Sequence, residues 1–212
     1  AGVENMSRSP YVIPAQRFGQ KMGDVKTLDM MLGALNCPFG TGHMGITAEN
    51  LAKKWNISQE EQDAFAALSH QKAAKAIAEG RFKTQIAPIT IKTRKGEVVF
   101  DTDEGVKAET TAESLSKLKA VFLKENGTVT AGNASSINDG ASFFVLASAQ
   151  AAERSGHKPL ARLVSYAVAG VPNEVMGEGP IPASKLALSR AGLTVAHMDV
   201  VESNEAFAVQ SL

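Results

Sequence analysis

The residues best suited to chemistry lie in Thr128-Val-Thr-Ala-Gly-Asn-Ala-Ser-Ser-Ile-Asn-Asp-Gly-Ala141 and in Asn204-Glu-Ala-Phe207. A short β-branched run leads into small residues from Ala131 to Ser136, with no bulky side chain among them. Such a backbone lets a thin, extended ligand approach closely, and Asn133, Ser135 and Ser136 offer hydrogen bonds to amides. Asn204 falls where a buried strand is expected to give way to a helix, so its amide can point into a site or cap the helix.

The elements that must position these residues are legible from periodicity. Ala48, Leu51, Ala52 and Trp55 have helical spacing, and Ser58 with Glu61 forms a capping box opening a helix to Gly80, its apolar stripe marked by Phe65, Leu68 and Ile77. Residues 86–101 alternate around Lys95-Gly96, which predicts a β-hairpin. Thr111 begins another helix carrying Leu115, Leu118 and Phe122. Then Ser142–Ala147 reads as a buried strand, and Ser148 caps a helix that Gly156 ends. Leu160–Val171 reads as a second strand, Pro180–Pro182 leads into a helix closed by Gly192, and Asp199–Glu202 is a third strand before a helix capped by Asn204. Strand–helix alternation from residue 141 onward predicts an α/β layered domain, preceded by an irregular, mostly helical region.

The chain has 212 residues, 44% apolar and 21% charged, with 22 basic and 22 acidic side chains. That balance favours neither nucleic acid nor a membrane surface as partner, and no apolar run approaches a membrane span. One cysteine, Cys37, leaves no internal disulfide, and four scattered histidines lack ligand spacing for structural zinc. Ala1 without an initiating Met, and Leu212 in a helical pattern with no stop signal, read as the ends of a piece of a longer chain.

Four blocks resemble motifs of the thiolase family: Ala1-Gly-Val-Glu-Asn-Met-Ser7; Gly42-His-Met-Gly-Ile-Thr-Ala-Glu-Asn50; Thr130-Ala-Gly-Asn-Ala-Ser135 with Asn138-Asp-Gly-Ala141; and Asn204-Glu-Ala-Phe207. Asp63-Ala-Phe65, Gly80-Arg-Phe82 and Met176-Gly-Glu-Gly-Pro180 add lesser agreements. The resemblance implies a Claisen condensation or its reverse. A cysteine takes an acyl group from coenzyme A, and the enolate of a second acyl-CoA attacks that thioester. It also implies two α/β/α layered halves with an inserted, mostly helical loop domain. On this sequence that gives 1–8 as the end of the N-terminal half and 9–136 as the CoA-binding loop domain. Residues 137–158 are then the last strand and helix of the first half, and 159–212 the start of the second. The family's nucleophilic Cys turn, its Gly-His-Pro loop and its second cysteine do not occur among residues 1–212, so this chain alone is expected to be inactive.

The same resemblance assigns roles. Asn204 holds a water that donates to the thioester oxygen. Ala131 and Ser135 line the pantetheine tunnel, Ser135 hydrogen-bonding an amide of that arm. His43 and Met44 lie near its acyl end, and Leu35, Ala206 and Phe207 are candidate apolar walls that core packing explains nearly as well. Lys107 stands where a basic residue meets the CoA phosphates, whereas Lys92–Lys95 reads as a solvated hairpin. Cys37 reads as an incidental loop cysteine. No metal or redox cofactor is implied, since coenzyme A is substrate and product. The Gly42–Gly45 block favours the biosynthetic short-chain kind. The whole protein is expected to act on acyl-CoA, in the cytoplasm, as a homodimer or homotetramer. A non-catalytic CoA-binding or interaction module is the alternative.

Overall fold

The computed structural model describes residues 1–14 and 16–212. In chain order the elements begin with β1 (Gly2–Asn5), β2 (Tyr11–Val12), β3 (Leu28–Asp29), α1 (Met30–Ala34), β4 (Asn36–Cys37) and β5 (Gly42–His43). Two longer helices come next, α2 (Met44–Trp55) and α3 (Gln59–Ala78), then the strands β6 (Ile89–Thr93) and β7 (Gly96–Phe100). The remainder is α4 (Ala112–Ser116), β8 (Asp139–Ser142), α5 (Ala149–Ser155), α6 (Pro180–Arg190) and α7 (Ala208–Ser211).

The chain divides into two units, 1–50 with 137–203, and 51–136 with 204–212. In the first, β1 pairs antiparallel with β8, Gly2 opposite Ser142 and Asn5 opposite Asp139. Asp139 secures that pairing, accepting from Ser7 N at 2.9 Å and Ser7 Oγ at 2.5 Å. These bonds favour the carboxylate and hold its pKa below the ordinary value. Ser148 caps α5 by accepting from Ala151 N, and Gly156 ends it in the left-handed conformation at φ +68°.

In the second unit α3 is the central support. Ser58 and Glu61 form the expected reciprocal capping box, which lowers the Glu61 pKa through the Ser58 N–H and hydroxyl. The face α3 buries is Gln62, Asp63, Ala66 and Ala67, rather than one marked by Leu68, which is half exposed. The alanines are small enough to let Leu115 of α4 pack against them. Thr111 caps α4 by accepting from Ser114 N, but α4 ends at Ser116, so Leu118 and Phe122 of the expected helix lie beyond it. The hairpin forms as expected, Ile89 opposite Phe100 and Thr93 opposite Gly96, leaving Arg94 and Lys95 as the loop.

Five further expectations need correction. Within 142–147 only Ser142 belongs to a strand, and Phe143 to Leu146 are exposed, Val145 at 97%. Neither 160–171 nor 199–202 forms a ladder. An apolar run becomes a strand only when a neighbour accepts its backbone hydrogen bonds, and among the described residues these segments have no such neighbour. Trp55 ends α2 59% exposed, with Lys54 Nζ 5.6 Å from its ring centroid, instead of facing the core. Finally, α7 begins at Ala208 with Phe207 as its N-terminal flank, so Asn204 is not a cap.

Candidate functional site

The small-residue segment is built around one buried amide. Asn133 Oδ1 accepts from Thr130 N at 2.8 Å, while its Nδ2 donates to Thr128 O at 3.0 Å and to Asp63 Oδ1 at 2.9 Å. Gln59 Nε2 donates to the other Asp63 oxygen at 3.3 Å, and Thr130 Oγ1 accepts from Gly132 N at 3.1 Å. Asn133, Thr130 and Asp63 are all buried, so the turn is tied to α3 by bonds shielded from water. Asn133 is therefore not available to a ligand amide, which corrects the reading of it as a contact residue. Ala131 and Ser135, by contrast, are exposed.

The turn is thin because Gly132 must be. A Cβ at Gly132 would lie 2.5 Å from Leu115 Cδ2 and 2.6 Å from Leu118 Cδ1. Leucines from and beside α4 thus pack directly on its backbone.

The second motif lies alongside this turn. Ser135 N donates to Ala206 O at 3.0 Å, Ala208 N donates to Asn133 O at 2.9 Å, and Ala134 bridges Phe207 in antiparallel fashion. Ala206 and Phe207 are half-buried, and the Phe207 ring meets Phe122 edge-on, with centroids 6.5 Å apart. Asn204 is exposed, four residues ahead of α7. Glu205, expected in a first helical turn, instead accepts from Ser69 Oγ of α3 at 2.5 Å. Ser135, Ala206 and Phe207 therefore belong to one bonded cluster, and Ala131 and Asn204 lie on the same two segments. Lys107 is in the same unit, exposed, its backbone N–H donating to His70 Nδ1 at 3.3 Å.

The other three residues gather in the first unit. Met44 N donates to Leu35 O at 2.8 Å, and Asn36 pairs with His43 across β4 and β5. His43 Nδ1 accepts from Gly45 N at 3.0 Å, so the neutral ring carries its proton on Nε2. Burial lowers its pKa and favours that neutral form. Leu35 lines a cavity of about 290 Å³ with Met6, Arg8, Met30 and Met31.

Cys37 pairs with Gly42, one position from the Asn36–His43 pair, so its thiol and the His43 ring project from opposite faces. A hydrogen bond from the Thr41 hydroxyl, then bonds from the Thr41 and Phe39 N–H groups, lowers the thiol pKa. No group of three or more His, Cys, Asp or Glu able to hold a metal occurs among the described residues, and no helix is long and apolar enough to cross a membrane.

The sequence signals missed three anchors: Asp63 for Asn133, Ser69 for Glu205 and Ser7 for Asp139. Each joins residues 70 or more positions apart, and Asp63 gave the one hint, inside the Asp63-Ala-Phe65 agreement.

Comparison with known proteins agrees along the whole chain. The model for Thiolase, N-terminal domain, matches residues 1–150, and that for Thiolase, C-terminal domain, matches 157–212. Beta-ketothiolase BktB of Cupriavidus necator is 57% identical over 210 residues, covering 99% of this chain and 53% of that protein. Acetyl-CoA acetyltransferase of Pseudomonas aeruginosa is 54% identical over 213 residues, covering 100% of this chain and 54% of that one. Among solved structures, the Bacillus anthracis acetyl-CoA acetyltransferase superposes with a TM-score of 0.95 at 47% identity, covering 100% of this chain and 53% of that one. Human mitochondrial 3-ketoacyl-CoA thiolase in complex with CoA gives 0.89 at 42%, with 99% and 52% covered. The chain spans about half the length of the curated relatives it matches.

Proposed function

Because the chain belongs to the thiolase family and has its α/β fold, we propose that the protein carrying it is an acetyl-CoA C-acetyltransferase. The reaction joins two acetyl-CoA into acetoacetyl-CoA with release of one CoA, or runs in reverse. Residues 1–212 supply the middle of its CoA site and one part of its oxyanion hole. The single observation that carries this reading is the bonding of the Ala131–Ser135 segment to the Asn204–Phe207 segment through Ser135 N, Ala208 N and the Ala134–Phe207 bridge. It supports a reading in which the side-chain-poor strip takes a pantetheine arm and the neighbouring segment offers the Asn204 amide to a thioester oxygen. The names of both bacterial relatives support the same activity.

In this reading Ser135 hydrogen-bonds an amide of the pantetheine, and Ala131 leaves room for its passage. Ala206 and Phe207 form apolar walls, and Lys107 meets a phosphate. Leu35, His43 and Met44 serve the acyl end, where a neutral His43 suits an apolar thioester. Asn204 acts through a held water, lowering the barrier as charge gathers on the thioester oxygen. Cys37 is not the nucleophile: its thiol faces away from His43, and the Asn36–Phe39 surroundings lack small residues. Turnover therefore needs a cysteine that is not among residues 1–212, and these residues alone give none. Coenzyme A is the carrier, with no metal or redox cofactor. A cytoplasmic homodimer or homotetramer working in fatty acid metabolism belongs to the same proposal.

The test is thiolysis of acetoacetyl-CoA by the whole protein, followed by the loss of substrate. Asn204→Ala is expected to lower kcat about 10²–10³-fold with KM changed far less. CoA binding without turnover in either direction by the whole protein refutes the enzymatic reading and supports a binding module.

A further inference from the structure

We infer that Ser69 and Glu205 are positioning residues for Asn204, an inference that rests on the oxyanion role proposed above. Asn204 lies outside regular structure, since α7 starts only at Ala208. Residues 206 and 207, just beyond it, are well held: Ala206 O accepts from Ser135 N, and Phe207 bridges Ala134 and packs on Phe122. The residue next to it, Glu205, has its carboxylate on the Ser69 hydroxyl at 2.5 Å, although the two are 136 positions apart.

Ser69 sits near the middle of α3, a 20-residue helix capped at its N-terminus and packed on α4 and α7. A mid-helix serine commonly turns its hydroxyl back onto the carbonyl one turn earlier. Here the hydroxyl donates outward to a charged acceptor, the stronger kind of hydrogen bond. The bond anchors the backbone beside Asn204 to the longest helix of this unit. An exposed carboxylate of this sort adds little to folding stability. Its effect falls instead on where the Asn204 amide sits, and catalytic donors are intolerant of displacements of about 1 Å.

The experiment uses the whole protein in the acetoacetyl-CoA thiolysis assay. Ser69→Ala and Glu205→Ala are each expected to lower kcat about 5–20-fold, a partial version of the loss that accompanies misplacement of a reacting group. KM for either substrate should stay within about twofold and the melting temperature within about 2 °C, as expected of an exposed contact. Ser69→Thr, which keeps the hydroxyl, should restore most of kcat. The double variant should be no slower than the slower single one, because both remove one contact. Full kcat in both alanine variants, with Asn204→Ala still impaired, overturns this inference and leaves the oxyanion role standing. Multiplying losses in the double variant, or a loss in Ser69→Ala that Ser69→Thr fails to restore, overturns it too. An inactive wild-type protein, or an unimpaired Asn204→Ala, overturns both.

Discussion

Asn133 offers the sharpest test of how the ligand segment is held. Asn133→Ala removes three hydrogen bonds at 2.8, 2.9 and 3.0 Å. It leaves the Thr130 N–H buried without that acceptor, at about 1–3 kcal/mol, and takes a donor from the Asp63 carboxylate, at about 1.5–3 kcal/mol. The sum is about 2.5–6 kcal/mol, since Thr130 and Asp63 are each only 1% exposed and water cannot replace the bonds. Hydrogen exchange of the Thr130 amide should accelerate about 10²–10⁴-fold, at tenfold per 1.4 kcal/mol. Asn133→Asp separates geometry from charge. It keeps an acceptor for Thr130 but sets a second carboxyl beside Asp63, at the 2.9 Å now spanned by the amide. Two such groups share a proton, and the pair's pKa in the folded state rises above the unfolded value. Stability from that shared proton is complete below the unfolded carboxyl pKa and is lost as pH rises through the folded one. Asn133→Asp should therefore fall furthest short of wild type at pH 7 and recover toward pH 5. An Asn133→Ala variant within about 1 kcal/mol of wild type, or an Asn133→Asp variant with no such recovery, refutes the account.

Asp139 should behave with the opposite sign. Its folded pKa is lowered by Ser7, so its contribution is present above the unfolded value and lost as pH falls through the folded one. Asp139→Asn should flatten that part of the acid limb of an unfolding curve. Gly132→Ala should destabilise by about 1–3 kcal/mol in chemical unfolding, because buried Leu115 has little room to yield even if Leu118 swings outward. Ser135→Ala should raise KM for CoA about 3–10-fold, the worth of one neutral hydrogen bond, while kcat holds in steady-state kinetics.

Local chemistry made much of the fold readable. Ser58 with Glu61, Thr111, Ser148 with Gly156 and the Lys95-Gly96 turn act within four or so residues of themselves, or across a short helix, and each appears where expected. Asn204 shows the limit of that reasoning. An Asn before Glu-Ala-Phe satisfies the capping rule, yet the bridge to Ala134 holds Phe207 extended at φ −142° and ψ 140°, so no helix starts before Ala208. The strand at Leu160–Val171 failed for a related reason: apolar residues favour a strand, but a partner must supply its hydrogen bonds. At the site, the small-residue strip and the Asn-Glu-Ala-Phe block were legible as motifs. Their mutual bonding was not, because the Asp63 and Ser69 anchors lie far off in sequence and look like ordinary helix surface.

Asp63 and Ser69 are six residues apart on α3, which places them about 9 Å apart along the axis and roughly a third of a turn around it. One grips the 128–133 turn and the other grips Glu205, while those two passages also bond to each other. The three pieces form a triangulated frame, whose sides cannot change length singly. Inserting or deleting one residue between positions 63 and 69 would swing one corner by about 100° and break the frame open. That short stretch of helix is a ruler, and its length is under tighter constraint than its exposed side chains suggest.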